Sequence, residues 1–97
     1  MKLKYKEELK IVVDYDDLDE FVNHIFPGSK FEFCAAEECA NDSSHSYDID
    51  GVVNDWDLKD IEAVKKGRWS FMTSTILTYL AYRKLIPVGR YVIEVCW

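Results

Sequence analysis

The segment YVIEVCW, residues 91–97, carries the strongest strand signal in the chain. It is the densest run of β-branched and aromatic residues, and such side chains fit the pleated, half-buried surface of a sheet. Successive side chains of a strand point to opposite faces, so one face of this segment is apolar. We therefore expect a central or well-paired strand with alternate residues buried, to which Trp97 adds further apolar area.

Six other segments show a strand or helix pattern, and together they define the fold class. Strand alternation is present at residues 9–13, extending back as far as Leu3, at residues 30–36 around Phe31 and Phe33, and at residues 47–51. Apolar residues recur at helical spacing in residues 18–26, 58–64 and 72–80. The order β-α-β-β-α-α-β predicts one α+β domain over residues 1–97, with an antiparallel or mixed sheet of about four strands and roughly two to three helices on one face.

The composition is that of a folded globular domain. Of the 97 residues, 48% are apolar and 14% are aromatic, which is enough for a hydrophobic core despite the net charge of −6. No apolar run approaches the roughly 20 residues that a membrane-spanning helix needs. The N-terminal residues alternate charged and apolar side chains without a hydrophobic signal core, so we expect a cytoplasmic protein.

The chain has three cysteines, Cys34, Cys39 and Cys96. An odd number without a secretion signal favours reduced thiols over a disulfide framework. An alternative is a zinc site formed by Cys34, Cys39 and His45. Its fourth ligand would be His24 or Cys96, and the second closely spaced pair that structural zinc sites use is missing. We therefore predict no bound metal and no cofactor.

Residues 47–55, YDIDGVVND, resemble the first motif of the haloacid-dehalogenase-type phosphatases. In that family a strand ends in Asp-x-Asp-Gly, so the resemblance implies that Asp48 attacks phosphorus and Asp50 acts as acid and base, with magnesium bound. Residues 43–46 are Ser-Ser-His-Ser rather than a hydrophobic strand, and 46 of the 97 residues follow Gly51, too few for that family's domain. We interpret the motif as a strand that turns into a loop, and an enzyme using Asp48 and Asp50 stays an alternative.

Charge is distributed unevenly along the chain. Residues 1–10 contain four lysines and two glutamates, net +2, and residues 61–97 contain six basic and two acidic residues, net +4. Residues 11–60 contain fourteen acidic residues against Lys30 and Lys59, net −12. An acidic surface of this kind suits a basic partner, because carboxylates can imitate the phosphates of a nucleic-acid backbone. The few basic residues beside such a segment argue against direct nucleic-acid binding.

The predicted binding face is made of acidic residues at junctions between elements, with two aromatic residues beside them as anchors. It comprises Asp14, Asp16, Asp17, Asp19, Glu37, Glu38, Asp42, Asp48, Asp50, Asp55, Asp57, Tyr15 and Trp56. We expect these clusters to converge at one end of a short sheet, with Tyr15, Tyr47 and Trp56 exposed. Ordinary solubility is the alternative explanation of the charge.

In size, acidity and lack of catalytic motifs, the chain resembles the small bacteriophage proteins that bind and block host machinery, of the anti-CRISPR and anti-restriction type. The stretches MTSTIL at residues 72–77 and IPVGRY at residues 86–91 are also typical of phage reading frames. The resemblance implies a non-enzymatic inhibitor in the host cytoplasm. Its acidic surface would imitate nucleic acid and bind a basic, nucleic-acid-handling protein, with no membrane involved.

The C-terminal strand generates a first prediction. Deleting the last five residues removes five of the seven residues of the strongest strand, with their apolar side chains, so cooperative unfolding should be lost. Thermal unfolding followed by circular dichroism measures this directly. A truncated protein that still melts cooperatively near the temperature of the full chain would contradict the assignment.

Overall fold

The computed structural model describes residues 1–39 and 44–95. Within these ranges the strands are β1 (Lys6–Glu7), β2 (Ile11–Asp14), β3 (Ser44–Ile49) and β4 (Gly89–Glu94). The helices are α1 (Tyr15–Ile25), α2 (Phe33–Glu37), α3 (Asp55–Lys65) and α4 (Thr73–Tyr82). The predicted α+β class with a mixed sheet of four strands is confirmed, and α2 is an additional helix. Among the described residues, no helix is both long and apolar enough to cross a bilayer.

Strand β4 lies inside the sheet, whose order is β1-β2-β4-β3. It pairs in parallel with β2, from Ile11 opposite Tyr91 to Asp14 opposite Glu94. On its other side it pairs antiparallel with β3, and β1 joins β2 antiparallel. The central position predicted for the C-terminal strand is confirmed over Gly89–Glu94, and Cys96 and Trp97 lie outside the described residues.

One face of the sheet carries the hydrophobic core. Alternate strand residues such as Val13, Tyr91 and Ile93 are fully buried there, against apolar side chains from all four helices. Each such side chain contributes about 1.5–3 kcal/mol when it is removed from water. The Tyr91 hydroxyl keeps a hydrogen bond inside this layer by donating to the Pro87 carbonyl.

The opposite face of the sheet carries mostly polar side chains, and we call it the open face. Its central row is Val12, Val92 and Ser46, in which both valines are half-buried and the serine is exposed. The rows on either side carry charges, which are all exposed. All four helices contribute to the core on the other face, so the sheet and the helices form two layers.

Residues 30–36 do not form the predicted strand. Residues 30–32 have no regular secondary structure, and the short helix α2 begins at Phe33. The alternation itself is present, since Phe31 and Phe33 are buried while Lys30 and Glu32 are exposed. The prediction was wrong because no neighbouring strand pairs with this segment.

Side chains of α1 satisfy the backbone of this segment instead. Asn23 accepts a hydrogen bond from the Phe31 N–H at 2.9 Å and donates one to the Phe31 carbonyl, also at 2.9 Å. Asp19 accepts a hydrogen bond from the Phe33 N–H at 2.8 Å. A buried backbone group needs a partner, but that partner need not be a strand. An alternating pattern therefore cannot distinguish a true strand from an extended segment held by a helix.

This arrangement predicts that Asn23 is a major determinant of stability. Asn23→Ala leaves the buried Phe31 backbone short of partners, which costs about 2–3 kcal/mol. Alanine has a better helix propensity than asparagine, which offsets roughly 0.5 kcal/mol of this cost. The free energy of unfolding should therefore fall by about 2 kcal/mol. Urea unfolding followed by circular dichroism measures the difference.

His24→Ala is the matched control, because His24 is the next residue of α1 and is exposed. It should change the free energy of unfolding by less than about 0.5 kcal/mol. Equal effects of the two substitutions would contradict the role assigned to Asn23.

Candidate functional site

The parallel pairing of β2 and β4 brings carboxylates together at one end of the open face. Asp14 and Glu94 are direct partners at the ends of these strands, and both side chains are exposed. Helix α1 begins immediately after Asp14, which places Asp16 and Asp17 in its first turn. We call Asp14, Asp16, Asp17 and Glu94 the acidic edge.

Like charges are therefore concentrated at the acidic edge. Neighbouring strands lie about 4.8 Å apart, so Asp14 and Glu94 repel each other. Within the described residues the ion pairs are Lys65 with Glu62 and Arg90 with Asp48, and none involves the acidic edge. Part of the repulsion is offset at the helix start, where the Asp14 side chain accepts a hydrogen bond from the Asp16 N–H at 3.2 Å and caps α1.

A shallow groove of about 460 Å³ adjoins the acidic edge. Asp14, Asp17 and Glu94 line one part of it, and Lys4 and Lys6 line another. Neither lysine comes within ion-pair distance of the acidic edge. The groove therefore has both acidic and basic walls.

The predicted acidic residues from Asp48 onwards do not converge on this edge, so for them that expectation was wrong. Asp48 lies opposite Arg90, four positions back along β4 from Glu94, which is about 13 Å. Asp50, Asp55 and Asp57 follow Asp48 at the far end of the sheet, because β3 runs antiparallel to β4. Glu37 and Glu38 end α2 in the helix layer, and Asp42 lies outside the described residues.

Several of these carboxylates already bind the protein itself. Asp19 is half-buried and accepts the Phe33 N–H, and Asp48 pairs with Arg90 at 3.0 Å. Asp50 accepts the Val52 N–H, which closes a local turn after β3. Asp57 completes a capping box with Asn54 at the start of α3. These contacts give the four residues structural roles.

The aromatic residues differ from expectation in their exposure. Tyr15 and Tyr47 are half-buried, and the Tyr47 hydroxyl is buried near Thr73 and Glu37. Burial raises the pKa of Tyr47 above its ordinary value. Only Trp56 is exposed as predicted, at 72%, and its ring lies 4.8 Å from the Lys59 ammonium group. It stands at the start of α3, on the Asp48–Asp57 side of the molecule.

The side chains considered as zinc ligands, those of Cys34, Cys39 and His45, lie close together. Cys39 Sγ is 3.5 Å from His45 Nε2, and the Cys39 N–H donates to the Cys34 carbonyl at 3.2 Å. Burial raises the pKa of Cys34 to about 12, with a further contribution from Cys39. No group of three His, Cys, Asp and Glu side chains within residues 1–39 and 44–95 is placed to hold a metal ion. Cys96 lies outside those ranges.

The position of Asp48 and Asp50 is not that of the phosphatase motif. Strand β3 is an antiparallel edge strand, whereas that motif needs a buried parallel strand. Asp48 points to the open face, where it pairs with Arg90, and Asp50 holds a turn. The strand-to-loop interpretation agrees with this geometry.

Glu94 belongs to the acidic edge but was absent from the predicted face. Its sequence signal was its outward position between Ile93 and Val95, which are buried. Its proximity to Asp14 depends on a parallel pairing across 80 residues of chain. Comparisons with protein-family models, with curated proteins and with solved structures found no match. Residue roles therefore rest on this geometry alone.

The burial of Asp19 predicts a pH-dependent stability. Burial, with the charges of Asp16 and Glu32, raises its pKa to about 6 from 3.8, against the opposing effect of the hydrogen bond from Phe33. A raised folded-state pKa means that the folded state binds the proton more tightly. Protonation of Asp19 therefore stabilises the folded state. The stabilisation is complete below the pKa that Asp19 has in the unfolded chain and is lost as pH rises through about 6.

Asp19→Asn keeps the acceptor oxygen and removes the charge. It should raise stability at neutral pH and flatten the dependence between about pH 4 and about pH 6, measured by urea unfolding across that range. Glu20→Gln, the adjacent exposed residue of α1, should keep the dependence of the parent protein. Parallel pH profiles for the parent and Asp19→Asn would show that Asp19 does not titrate in this way.

Proposed function

We propose that this chain is a non-enzymatic binding protein whose acidic edge contacts a basic, nucleic-acid-handling protein. The observation that carries the proposal is the pairing of Asp14 with Glu94 on adjacent strands, where no described residue forms an ion pair with either carboxylate. A like-charge pair on adjacent strands costs stability. Asp14 also caps α1, but an uncharged asparagine or serine would cap the helix as well, so the cap does not require the charge. A basic partner would convert that cost into binding energy.

The shape of the open face supports binding to a protein surface. Exposed carboxylates of the acidic edge border the half-buried pair Val12 and Val92. A small apolar centre with a charged border is the usual anatomy of a protein interface. The carboxylates stand on a strand end and the adjoining helical turn, which hold their spacing fixed as a nucleic-acid backbone would hold its phosphates.

The proposal keeps Asp14, Asp16 and Asp17 of the predicted face and adds Glu94. It leaves out Asp19, Asp48, Asp50 and Asp57, whose contacts are with other parts of the protein itself. It matches the mode of action implied by the resemblance to small phage anti-defence proteins. Nucleic acid itself is a poor ligand for this edge because both are negative. The basic residues around Lys65–Arg68 and at Arg83 and Lys84 are where nucleic-acid binding would occur if the proposal fails.

The test is to neutralise the acidic edge with Asp14→Asn, Asp16→Asn, Asp17→Asn and Glu94→Gln in one variant. Asparagine at position 14 retains the helix cap, so the fold should persist and stability should rise by up to about 1 kcal/mol. The partner is captured from a host lysate with the parent protein and purified. Affinity for that partner should fall about 10-fold or more at physiological salt.

A matched control neutralises four acids elsewhere: Glu38→Gln, Asp50→Asn, Asp55→Asn and Glu62→Gln. The net charge change is the same, so a much smaller loss of affinity would assign the contact to the acidic edge. The parent affinity should also decrease with salt, and double-stranded DNA should compete for the partner. Affinity that is independent of salt and of the acidic-edge substitutions would show that the electrostatic proposal is wrong.

A further inference from the structure

The end of α2 brings two cysteines onto each other. Residues five positions apart on a continuing α-helix point about 140° away from each other, so Cys34 and Cys39 would not meet there. Glu38 instead adopts the left-handed conformation, with φ of 52°, and turns the chain back. The Cys39 N–H then donates to the Cys34 carbonyl at 3.2 Å. This is the helix-terminating geometry in which the side chains of these two positions contact each other.

A histidine from β3 lies against this thiol pair. His45 Nε2 is 3.5 Å from Cys39 Sγ, and the ring is held edge-on to Phe33 with centroids 5.3 Å apart. In the tautomer with the proton on Nδ1, the imidazole accepts a hydrogen bond from a thiol at this distance and is placed to act as its general base. A thiolate is the nucleophilic form of cysteine, so the pairing identifies Cys39 as the more reactive thiol.

Among the groups around the two thiols, His45 is the one placed to accept the proton of Cys39. Asp16 and Asp19 of α1 and Glu37 of α2 are the charged groups near the two thiols, and Tyr47 of β3 lies beside Cys39. Burial raises the pKa of Cys34 to about 12, with smaller contributions from Cys39 and the nearby carboxylates, so this thiol stays protonated. Cys39 is half-buried, so a small oxidant can reach it. The two thiols therefore differ in chemistry as an attacking and a resolving cysteine do.

We propose that Cys34 and Cys39 form an oxidation-sensitive dithiol that reduces a peroxide and closes into a disulfide at the end of α2. In the first step Cys39, deprotonated by His45, attacks a peroxide oxygen and breaks the O–O bond. Hydrogen peroxide thereby yields Cys39 sulfenic acid and one water. In the second step Cys34 sulfur attacks the Cys39 sulfur, the S–OH bond breaks, and the thiol proton leaves with hydroxide as a second water.

The two steps together balance in atoms and in electrons. Two thiols lose two electrons and two protons, and one peroxide becomes two waters. The disulfide would span Cα positions already brought together by the Cys39-to-Cys34 backbone hydrogen bond, so α2 need not unfold. A dithiol reductant would reverse the reaction by thiol–disulfide exchange.

The experiment uses the full chain with Cys96→Ser, so that the third cysteine cannot compete. The reduced protein is treated with hydrogen peroxide, and its intact mass and proteolytic peptides are determined. We expect a loss of about 2 Da, one Cys34–Cys39 cross-link and full reversal by dithiothreitol. Circular dichroism before and after treatment should coincide, because the bond joins positions already in contact.

Three variants in this background separate the roles. Cys34→Ser should stop at a Cys39 sulfenic acid that reacts with dimedone, and Cys39→Ser should react with peroxide at least about 10-fold more slowly. His45→Gln should slow the first step about 10-fold and shift its pH profile towards that of an unassisted thiol. Phe71→Ala, which changes an exposed ring, is the control for general effects on the fold.

Three results would overturn the proposal. One is peroxide treatment that gives sulfinic acid or intermolecular dimers while Cys34 and Cys39 stay unlinked. The second is equal peroxide reactivity of Cys34→Ser and Cys39→Ser. The third is an unchanged rate and pH profile in His45→Gln that is folded by circular dichroism. Each result is obtained without the binding partner, so it is independent of the proposed function.

Discussion

The parallel pairing of β2 with β4 is the interaction on which the rest of the structure depends. It joins the first and last parts of the chain, from Ile11 opposite Tyr91 to Asp14 opposite Glu94. Burial of Tyr91 and Ile93 against the helices stabilises this pairing from one side. The four helices of the connection between these strands pack over one face of the sheet, and β3 of the same connection joins the sheet beside β4.

This pairing also explains why charge collects where it does. Parallel strands end at the same edge of a sheet, and both β2 and β4 end in a carboxylate. The helix that follows β2 adds two more acids in its first turn, where the helix dipole favours them. The acidic edge is thus a consequence of topology, whereas Asp19, Asp48, Asp50 and Asp57 hold backbone groups, a cap and an ion pair elsewhere.

Two local arrangements of the backbone hold the short helix α2 in place. On one side of the helix, Asn23 and Asp19 replace a neighbouring strand for the backbone at Phe31 and Phe33. On the other side, the left-handed Glu38 replaces a further helical turn and brings Cys39 back to Cys34. Both arrangements let a short, five-residue helix sit between α1 and α4, where it contacts each of them. The turn at Glu38 also has a chemical consequence, because it positions the two thiols beside His45.

The sequence by itself determined the fold class, the helices α1, α3 and α4 and the central C-terminal strand, because these depend on periodicity and on local propensity. It also grouped Cys34, Cys39 and His45 as an alternative zinc site, although it did not give the geometry that brings them together. Tertiary structure alone decided that residues 30–36 are not a strand, that the acidic clusters separate, and that Glu94 meets Asp14. The physical reason is the same in each case. The pattern of apolar and polar residues in the sequence indicates which side chains are buried. Which residues those side chains contact depends on strand direction and register, and distant parts of the chain set these together.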